Sequence, residues 1–317
     1  MLTQKQFKSK FDRVILVAND AGGANILSSW ANKSASKYKF ITIGTGPAKD
    51  IFELRNFRSK TMSFSEYLKQ ANKRDVIITG TSDTSKFERN AVKSGKNKNI
   101  YTVSFLDHWI NYEDRFFNKN KKTDSTIYLP DEIWVGDKYA YAHALSSGFL
   151  KNKLRLVPNP YFQEIIKQRT KNNVKNLKDN KVILFMSSPV FKSNNRKYGE
   201  RKKWSITEYD QLESLLKNTV GSKFNVLIRM HPKEKKDKYK SIIKKYRKLI
   251  PISISNNADI ISDIKKSDIV IGGETMGLVV ALFLGKKVYS IIPKQIKEHL
   301  IPYKGIKVIN SMEDFVI

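Results

Sequence analysis

The chain has 317 residues, 40% of them hydrophobic and 11% aromatic, enough to bury the cores of two ordinary domains and too apolar for a disordered chain. It has no cysteine, which excludes disulfides, thiolate metal sites and cysteine nucleophiles and fits a reducing compartment. Its formal charge of +29, from 59 Lys and Arg against 30 Asp and Glu, is mostly lysine spread through nearly every segment, a pattern that favours a solvated surface, then an anionic membrane or acidic glycan, over specific nucleic-acid binding.

In the first half, Arg13 to Ala18 is a continuous apolar run, as expected of a parallel strand buried on both faces, and Asn19-Asp20-Ala21-Gly22-Gly23-Ala24-Asn25 then opens a helix through Ala31. Further strands are predicted at Tyr38 to Ile43, Val76 to Thr79, Tyr101 to Phe105, Glu132 to Val135 and Leu154 to Val157. The third of these ends in Gly80-Thr81-Ser82-Asp83-Thr84 before a helix with Glu88 and Arg89, and the fourth in Leu106-Asp107-His108-Trp109. Tyr112, Glu113 and Arg115 read as a polar loop, and a helix is predicted at Tyr139 to Leu145. Strands that end in small or acidic residues, each followed by a helical pattern, make a doubly wound domain over 1–160. Pro158-Asn159-Pro160 breaks it and 161–180 reads as a linker, most plainly from Gln168 to Asn180.

The pattern restarts over 181–317. Lys181 to Met186 is a strand ending in Ser187-Ser188-Pro189, Phe191 to Lys203 a polar insertion, and Ile206 to Leu216 a helix with Ser205 and Glu208 at capping-box spacing. Phe224 to Arg229 is a strand running into Met230-His231-Pro232; Ile252 to Ile254 and a helix around Asp259 to Lys265 follow. Ile269 to Ile271, Gly272, Gly273, a helix from Thr275 to Leu284, the Gly285 stop and a strand from Val288 form one strand-loop-helix-strand unit, and Ile306 to Ile309 is the last strand. The fold class is α/β: two Rossmann-like doubly wound parallel-sheet domains facing a cleft. No window is long and apolar enough to cross a membrane and Met1 to Lys10 lacks a signal-peptide core, so a cytoplasmic protein is expected, with charge available for contact with the inner membrane face.

Gly273-Glu274-Thr275 lie where a parallel sheet places its ligand, outside the strand end and at the next helix start, where backbone N–H groups can hold a phosphate; a turn that needs glycine only for its backbone angles is the other reading. Arg229 and His231, at a strand end on the same edge, are donors suited to an oxyanion, unless Arg229 is a plain surface arginine. Asp107 with His108 is a candidate acid-base pair beside Trp109, whose ring could stack on a sugar, although neighbours on an extended chain point opposite ways and a buried histidine satisfied by backbone explains His108 equally. His143 and His299 are assigned no role. No Gly-x-x-x-x-Gly-Lys-Ser/Thr loop, no Gly-x-Gly-x-x-Gly after the first strand and no Asp-x-Asp element is present, which argues against an ATPase, a dehydrogenase and a metal-held nucleotide diphosphate.

On His231-Pro232 and the Gly272 to Thr275 turn, the chain resembles glycosyltransferases of the GT-B fold, more narrowly the branch with bacterial sialyltransferases and Kdo transferases and, more distantly, glycerophosphotransferases that use CDP-glycerol. The resemblance implies that His231 contacts the phosphate of a cytidine nucleotide, that Thr275 with Gly273 and Glu274 does the same, and that Ser187 and Ser188 line the donor site. It implies a catalytic base in the first domain, where the family's acidic pair followed by glycine is reduced to Asp20; Asp20 as its own helix's cap is the alternative, and Asp107 the alternative base. It implies an acceptor side made up of Gly22, Gly23, Asn25, Thr81, Ser82 and Trp109, with the polar loop of Tyr112, Glu113 and Arg115 over the acceptor. The implied function is an inverting, metal-independent transferase for a CMP-linked nonulosonic acid or Kdo in bacterial surface polysaccharide synthesis, with a glycan or lipid-linked acceptor, no cofactor beyond the donor and no specific nucleic acid. Three rivals remain: a hydrolysing UDP-sugar 2-epimerase, whose Asp-Ser-Gly-Gly signature is missing, a CDP-polyol phosphotransferase, and a non-catalytic protein that binds anionic glycan or nucleic acid.

Overall fold

The computed structural model describes residues 4–55, 59–82, 85–117, 129–169, 181–188, 207–232, 234–235, 237–292, 299–311 and 315. The chain divides into two compact units, Met1–Glu164 and Ile165–Ile317.

Unit 1 runs α1 (Gln4–Lys10), β1 (Arg13–Ala18), α2 (Ala21–Lys33), β2 (Lys39–Gly44), α3 (Pro47–Leu54), β3 (Ser59–Thr61), α4 (Phe64–Lys69), β4 (Asp75–Thr79), α5 (Phe87–Asn97), β5 (Tyr101–Leu106), α6 (Tyr112–Phe116), β6 (Glu132–Val135), α7 (Lys138–Ser146), β7 (Leu154–Leu156) and α8 (Pro160–Arg169), which reaches past its boundary. Its seven strands are all parallel, in the order β3-β2-β1-β4-β5-β6-β7. β1 and β4 are almost wholly buried, which explains their unbroken apolar runs: helices cover both faces, so no face alternates with solvent. On one face Ile15, Val17, Ile41, Ile43, Ile77 and Tyr67 form a core. Burying each of the aliphatic side chains contributes about 1.5–3 kcal/mol.

At the amino ends of these strands the buried carboxyls are saturated. Asp75, 1% exposed, takes two bonds from the Arg13 guanidinium at 2.7 and 2.8 Å, one from the Tyr67 hydroxyl at 3.1 Å and one from the Asn72 N–H at 2.8 Å. Glu132 is held by Arg155, the Tyr101 hydroxyl and the Trp134 indole N–H. This edge is built for stability. β3 went unseen in the sequence because Ser59-Lys60-Thr61 carries no apolar residue; it pairs with β2 as an edge strand, with the Thr42 hydroxyl 3.1 Å from that of Thr61.

Unit 2 carries β8 (Lys181–Met186), α9 (Glu208–Thr219), β9 (Phe224–Arg229), α10 (Lys240–Tyr246), β10 (Ile252–Ile254), α11 (Ile260–Lys266), β11 (Ile269–Gly272), α12 (Met276–Phe283), β12 (Lys287–Ile291) and β13 (Lys307–Ile309). Its strands too are all parallel, in the order β10-β9-β8-β11-β12-β13. Ile183, Phe185, Ile228, Leu212, Leu215 and Ile271 anchor its core. α12 stops at Gly285, whose φ of +80° is open to glycine at little cost. The capping box of α9 is Thr207 with Asp210, two residues beyond the predicted pair; Ser205, with the 191–203 insertion, lies outside the described residues.

Both units are thus doubly wound parallel α/β sheets, as expected. Residues 161–169 of the expected linker belong to α8, and 170–180 lie outside the described residues. Among the described residues, no helix is long and apolar enough to cross a membrane.

Candidate functional site

In unit 1 the strand order reverses between β1 and β4, and a crevice forms at the carboxyl ends of such strands. Val17 sits beside Thr79 in the register, so Asn19-Asp20 and Gly80-Thr81 emerge together. Two glycines are dictated by close approach. A Cβ on Gly22 would lie 2.3 Å from Oδ2 of Asp107, and one on Gly23 would lie 3.0 Å from the Gly80 Cα. Asp20 occupies the N-cap position of α2 with extended backbone, yet its side chain makes no capping bond; the Asn19 amide donates to its Oδ1 at 3.1 Å. The capping explanation for Asp20 therefore fails.

Asp107 is clamped. Arg115 donates to its Oδ1 at 2.8 Å and the Thr81 hydroxyl at 3.1 Å, while Arg115 also donates to the Thr81 carbonyl at 2.7 Å. Burial nevertheless raises the Asp107 carboxyl above the usual range, outweighing the pull of Arg115. Tyr112 to Arg115, expected as a polar loop over an acceptor, form the helix α6 instead, and its buried Arg115 serves Asp107 from within because a buried carboxylate needs a cation. The His108 Nδ1 accepts the Trp109 N–H at 2.9 Å, while Asp107 takes Arg115 and Thr81. Trp109 is 7% exposed and its indole donates to Asp137 at 3.0 Å, so its ring is packing and offers a sugar little free face. Ser82 accepts the Ser85 N–H at 3.0 Å, and Asn25 accepts from Arg55 of the α3 C-cap at 3.2 and 3.3 Å; both hold local structure. Asp83 and Thr84 lie outside the described residues.

The sequence reading gave Glu88, at the start of α5, no role. It is 3% exposed, accepts the Asn19 N–H at 2.7 Å, and its Oε2 has no hydrogen-bond partner. Burial, with the charges of Asp20 and Asp107, pushes it up to about 7.

In unit 2 the order reverses between β8 and β11. Their ends meet so tightly that a Cβ on Gly272 would fall 2.4 Å from the Met186 carbonyl oxygen and one on Gly273 would fall 2.9 Å from the Ser188 hydroxyl. Gly272, against backbone, is required for this approach; a side chain at 273 would turn the Ser188 hydroxyl aside. Thr275 caps α12, its hydroxyl oxygen accepting the Gly277 N–H at 3.4 Å, which leaves the hydroxyl proton to donate. Glu274 accepts the Leu300 N–H at 2.5 Å and lies 3.9 Å from the His299 Nε2, tying this turn to the segment before β13.

The turn after β9 is braced by a residue the sequence reading missed. Glu234 accepts the His231 N–H at 2.9 Å and the Ser187 hydroxyl at 2.9 Å, and Lys238 holds it at 2.5 Å while also reaching Glu208 at 2.5 Å. His231 is half-buried and Pro232 exposed. Arg229 does not belong with them. Its guanidinium donates to Asp263 at 2.5 Å and to the carbonyls of Asn257 at 3.0 Å and Ala258 at 3.1 Å, because the fully buried Asp263 needs a cation. Arg229, expected to hold a phosphate, instead gives three hydrogen bonds to the fold, one of them to a buried carboxylate.

Unit 1 thus gathers Asp20, Gly22, Gly23, Thr81, Glu88 and Asp107, and unit 2 gathers Ser187, Ser188, His231 and Gly272 to Thr275. Among the described residues no group of three or more His, Asp or Glu is placed to hold a metal ion.

No family model matches the chain, and no curated protein matches it in sequence. Similarity appears among solved structures. A UDP-GlcNAc 2-epimerase from Neisseria meningitidis bound to UDP-GlcNAc superposes with a TM-score of 0.63 at 12% identity, over 96% of this chain and 90% of that one. The Methanocaldococcus jannaschii UDP-GlcNAc 2-epimerase in complex with UDP-GlcNAc and UDP gives 0.62 at 13% identity, over 96% and 90%. The wall teichoic acid polymerase TagF, soaked with CDPG, gives 0.54 at 13% identity, over 97% and 80%. At such identities the likeness is one of fold.

Proposed function

We propose that the chain is an enzyme that takes a nucleotide-activated sugar in unit 2 and transfers the sugar to an acceptor hydroxyl, an inverting, metal-independent glycosyl transfer. The observation that carries this reading is the convergence, on the reversal edge of the second sheet, of Ser188, Gly273, the Thr275 cap of α12 and the braced His231 turn. A helix start with a hydroxyl proton to donate, and a histidine on the neighbouring turn after β9, suit a phosphate. The finer reading is a CMP-linked nonulosonic acid or Kdo as donor and a glycan or lipid-linked acceptor of bacterial surface polysaccharide, with contact to anionic membrane through the basic surface. In this reading Asp20 takes the acceptor's hydroxyl proton. The freed oxygen bonds to the anomeric carbon while the bond from that carbon to the nucleotide phosphate breaks, its electron pair leaving with the phosphate near His231 and Thr275. Asp20 suits the role better than Asp107, because Asp107 is held by Arg115 and Thr81 and is 9% exposed.

A second reading, a hydrolysing UDP-sugar 2-epimerase, is favoured by the structural likeness to two such enzymes and by the Gly272-Gly273-Glu274 turn. The likeness to TagF keeps a CDP-polyol phosphotransferase in view. The test is turnover of CMP-linked sugars, UDP-GlcNAc and CDP-glycerol, with and without glycan acceptor, in EDTA, for wild type and His231→Ala. Nucleotide release that needs acceptor, survives EDTA and is lost in the variant is expected. Free sugar from UDP-GlcNAc without acceptor would select the second reading, and no release from any donor would overturn both.

A further inference from the structure

The carboxyls around the ends of β1, β4 and β5 are not supported alike. Asp107 has the Arg115 guanidinium and the Thr81 hydroxyl. Asp20 sits at the half-exposed rim beside the Asn19 amide. Glu88 is less exposed than either and has no cation: the backbone N–H groups of Asn19, at 2.7 Å, and of Glu88 itself bond its carboxyl, and its Oε2 is shut from solvent with nothing to bond. The buried carboxyls at the opposite edge of the same sheet, Asp75 and Glu132, each have an arginine. A dry carboxylate with only backbone donors and no cation is far costlier than a neutral carboxylic acid, and close like charges cannot all persist in one dry site.

We propose that Glu88 is a positioning residue of the unit 1 site, the protonated member of a three-carboxyl set, whose neutrality leaves Asp20 charged while its other oxygen holds the Asn19 N–H and thereby the turn that carries Asp20. The proton resides on Oε2, the oxygen with no donor to accept from, and Oε1 keeps the Asn19 bond. The charged groups acting on Glu88 are Asp20 from the turn after β1 and Asp107 from the end of β5, with Arg115 of α6 paired to Asp107. On its own helix Arg89 is turned to the Phe117 carbonyl. Near neutral pH Glu88 is a group whose charge changes, because burial and the charges of Asp20 and Asp107 push it up to about 7. The proposal deepens the reading of Asp20 as the proton acceptor and rests on it.

The test is a carbon-13 carboxyl NMR titration of the full chain with labelled glutamate, between pH 4 and 9, Glu88 being assigned by its disappearance in Glu88→Gln. The Glu88 signal is expected to titrate near pH 7, and Asp20→Asn and Asp107→Asn are each expected to lower its midpoint by on the order of half to one pH unit. Asp12→Asn, which removes only an exposed partner of Arg74, leaves it unmoved. Asp20→Asn decides alone if the Asp107 variant fails to fold. A midpoint in the ordinary glutamate range, or one that neither variant moves, would overturn the proposal and leave Glu88 a plain anchor of the Asn19 turn. No nucleotide enters the titration, so its failure and that of the nucleotide-site reading are told apart.

Discussion

Replacing Arg229 with alanine separates a structural from a ligand-binding arginine. The side chain is 18% exposed and its partner Asp263 is 0% exposed, so the substitution strands a carboxylate in the interior of unit 2. Removing one partner of a buried ion pair costs about 3–5 kcal/mol. Here the Ser255 hydroxyl, 2.5 Å from Asp263, and the Asn257 amide remain as donors, and the rim position of Arg229 admits water, so ~2–4 kcal/mol is the expected loss. For a domain of this size each kcal/mol moves Tm by about 2–4 °C, which gives a drop of ~5–15 °C by scanning calorimetry. Arg229→Lys keeps the charge without the fork and should fall between. Asp263→Asn combined with Arg229→Ala should lose less than the sum of the two single changes, since the pair is removed together. Nucleotide-induced stabilisation should survive in Arg229→Lys. An alanine variant that melts with the wild type but no longer responds to any nucleotide would refute the structural assignment.

Glu88→Gln tests the cost of the buried carboxyl. Its pKa rises from 4.5 to about 7 on folding, so ionisation costs stability progressively as pH climbs through that window: nothing below it, up to ~3 kcal/mol above. Glutamine keeps an acceptor for the Asn19 N–H and never ionises; its urea midpoint should exceed wild type's at pH 8 and match it at pH 4.5, and a pH-independent difference would contradict this. Gly22→Ala would place a Cβ 2.3 Å from the Asp107 carboxylate, displacing it or α2 at a cost of about 1–3 kcal/mol. Turnover should be lost while nucleotide binding in unit 2 persists; unimpaired turnover would show that the close approach is dispensable.

The sheets were legible because both faces of each central strand are buried, which writes runs such as Val14 to Ala18 and Ile269 to Ile271. The strand-end turns were legible too, since glycines at 22, 23, 272 and 273 mark places where a side chain would collide with a neighbouring strand end or its carboxylate. Side-chain direction was not. Arg229 stands two residues from His231, but Asp263, 34 positions on, decides where it points. Trp109 at a strand end is compatible with a sugar platform or with packing, and only Asp137 distinguishes them. Glu88 and Glu234 matter through partners 69 and 47 positions away, although Glu234 also lies three residues after His231, where a turn brings it back onto that backbone.

The nucleotide site proposed for unit 2 is tested most directly by a thermal-shift comparison of wild type and His231→Ala against CMP, CDP, UDP, UDP-GlcNAc and GDP. A ligand at 100 times its Kd stabilises the folded state by about 2.7 kcal/mol, a shift of several degrees. A pyrimidine nucleotide should raise the wild-type Tm by that order and the variant's by much less. No shift with any nucleotide, or a shift of equal size in both proteins, would contradict the placement of the phosphate at His231 and Thr275.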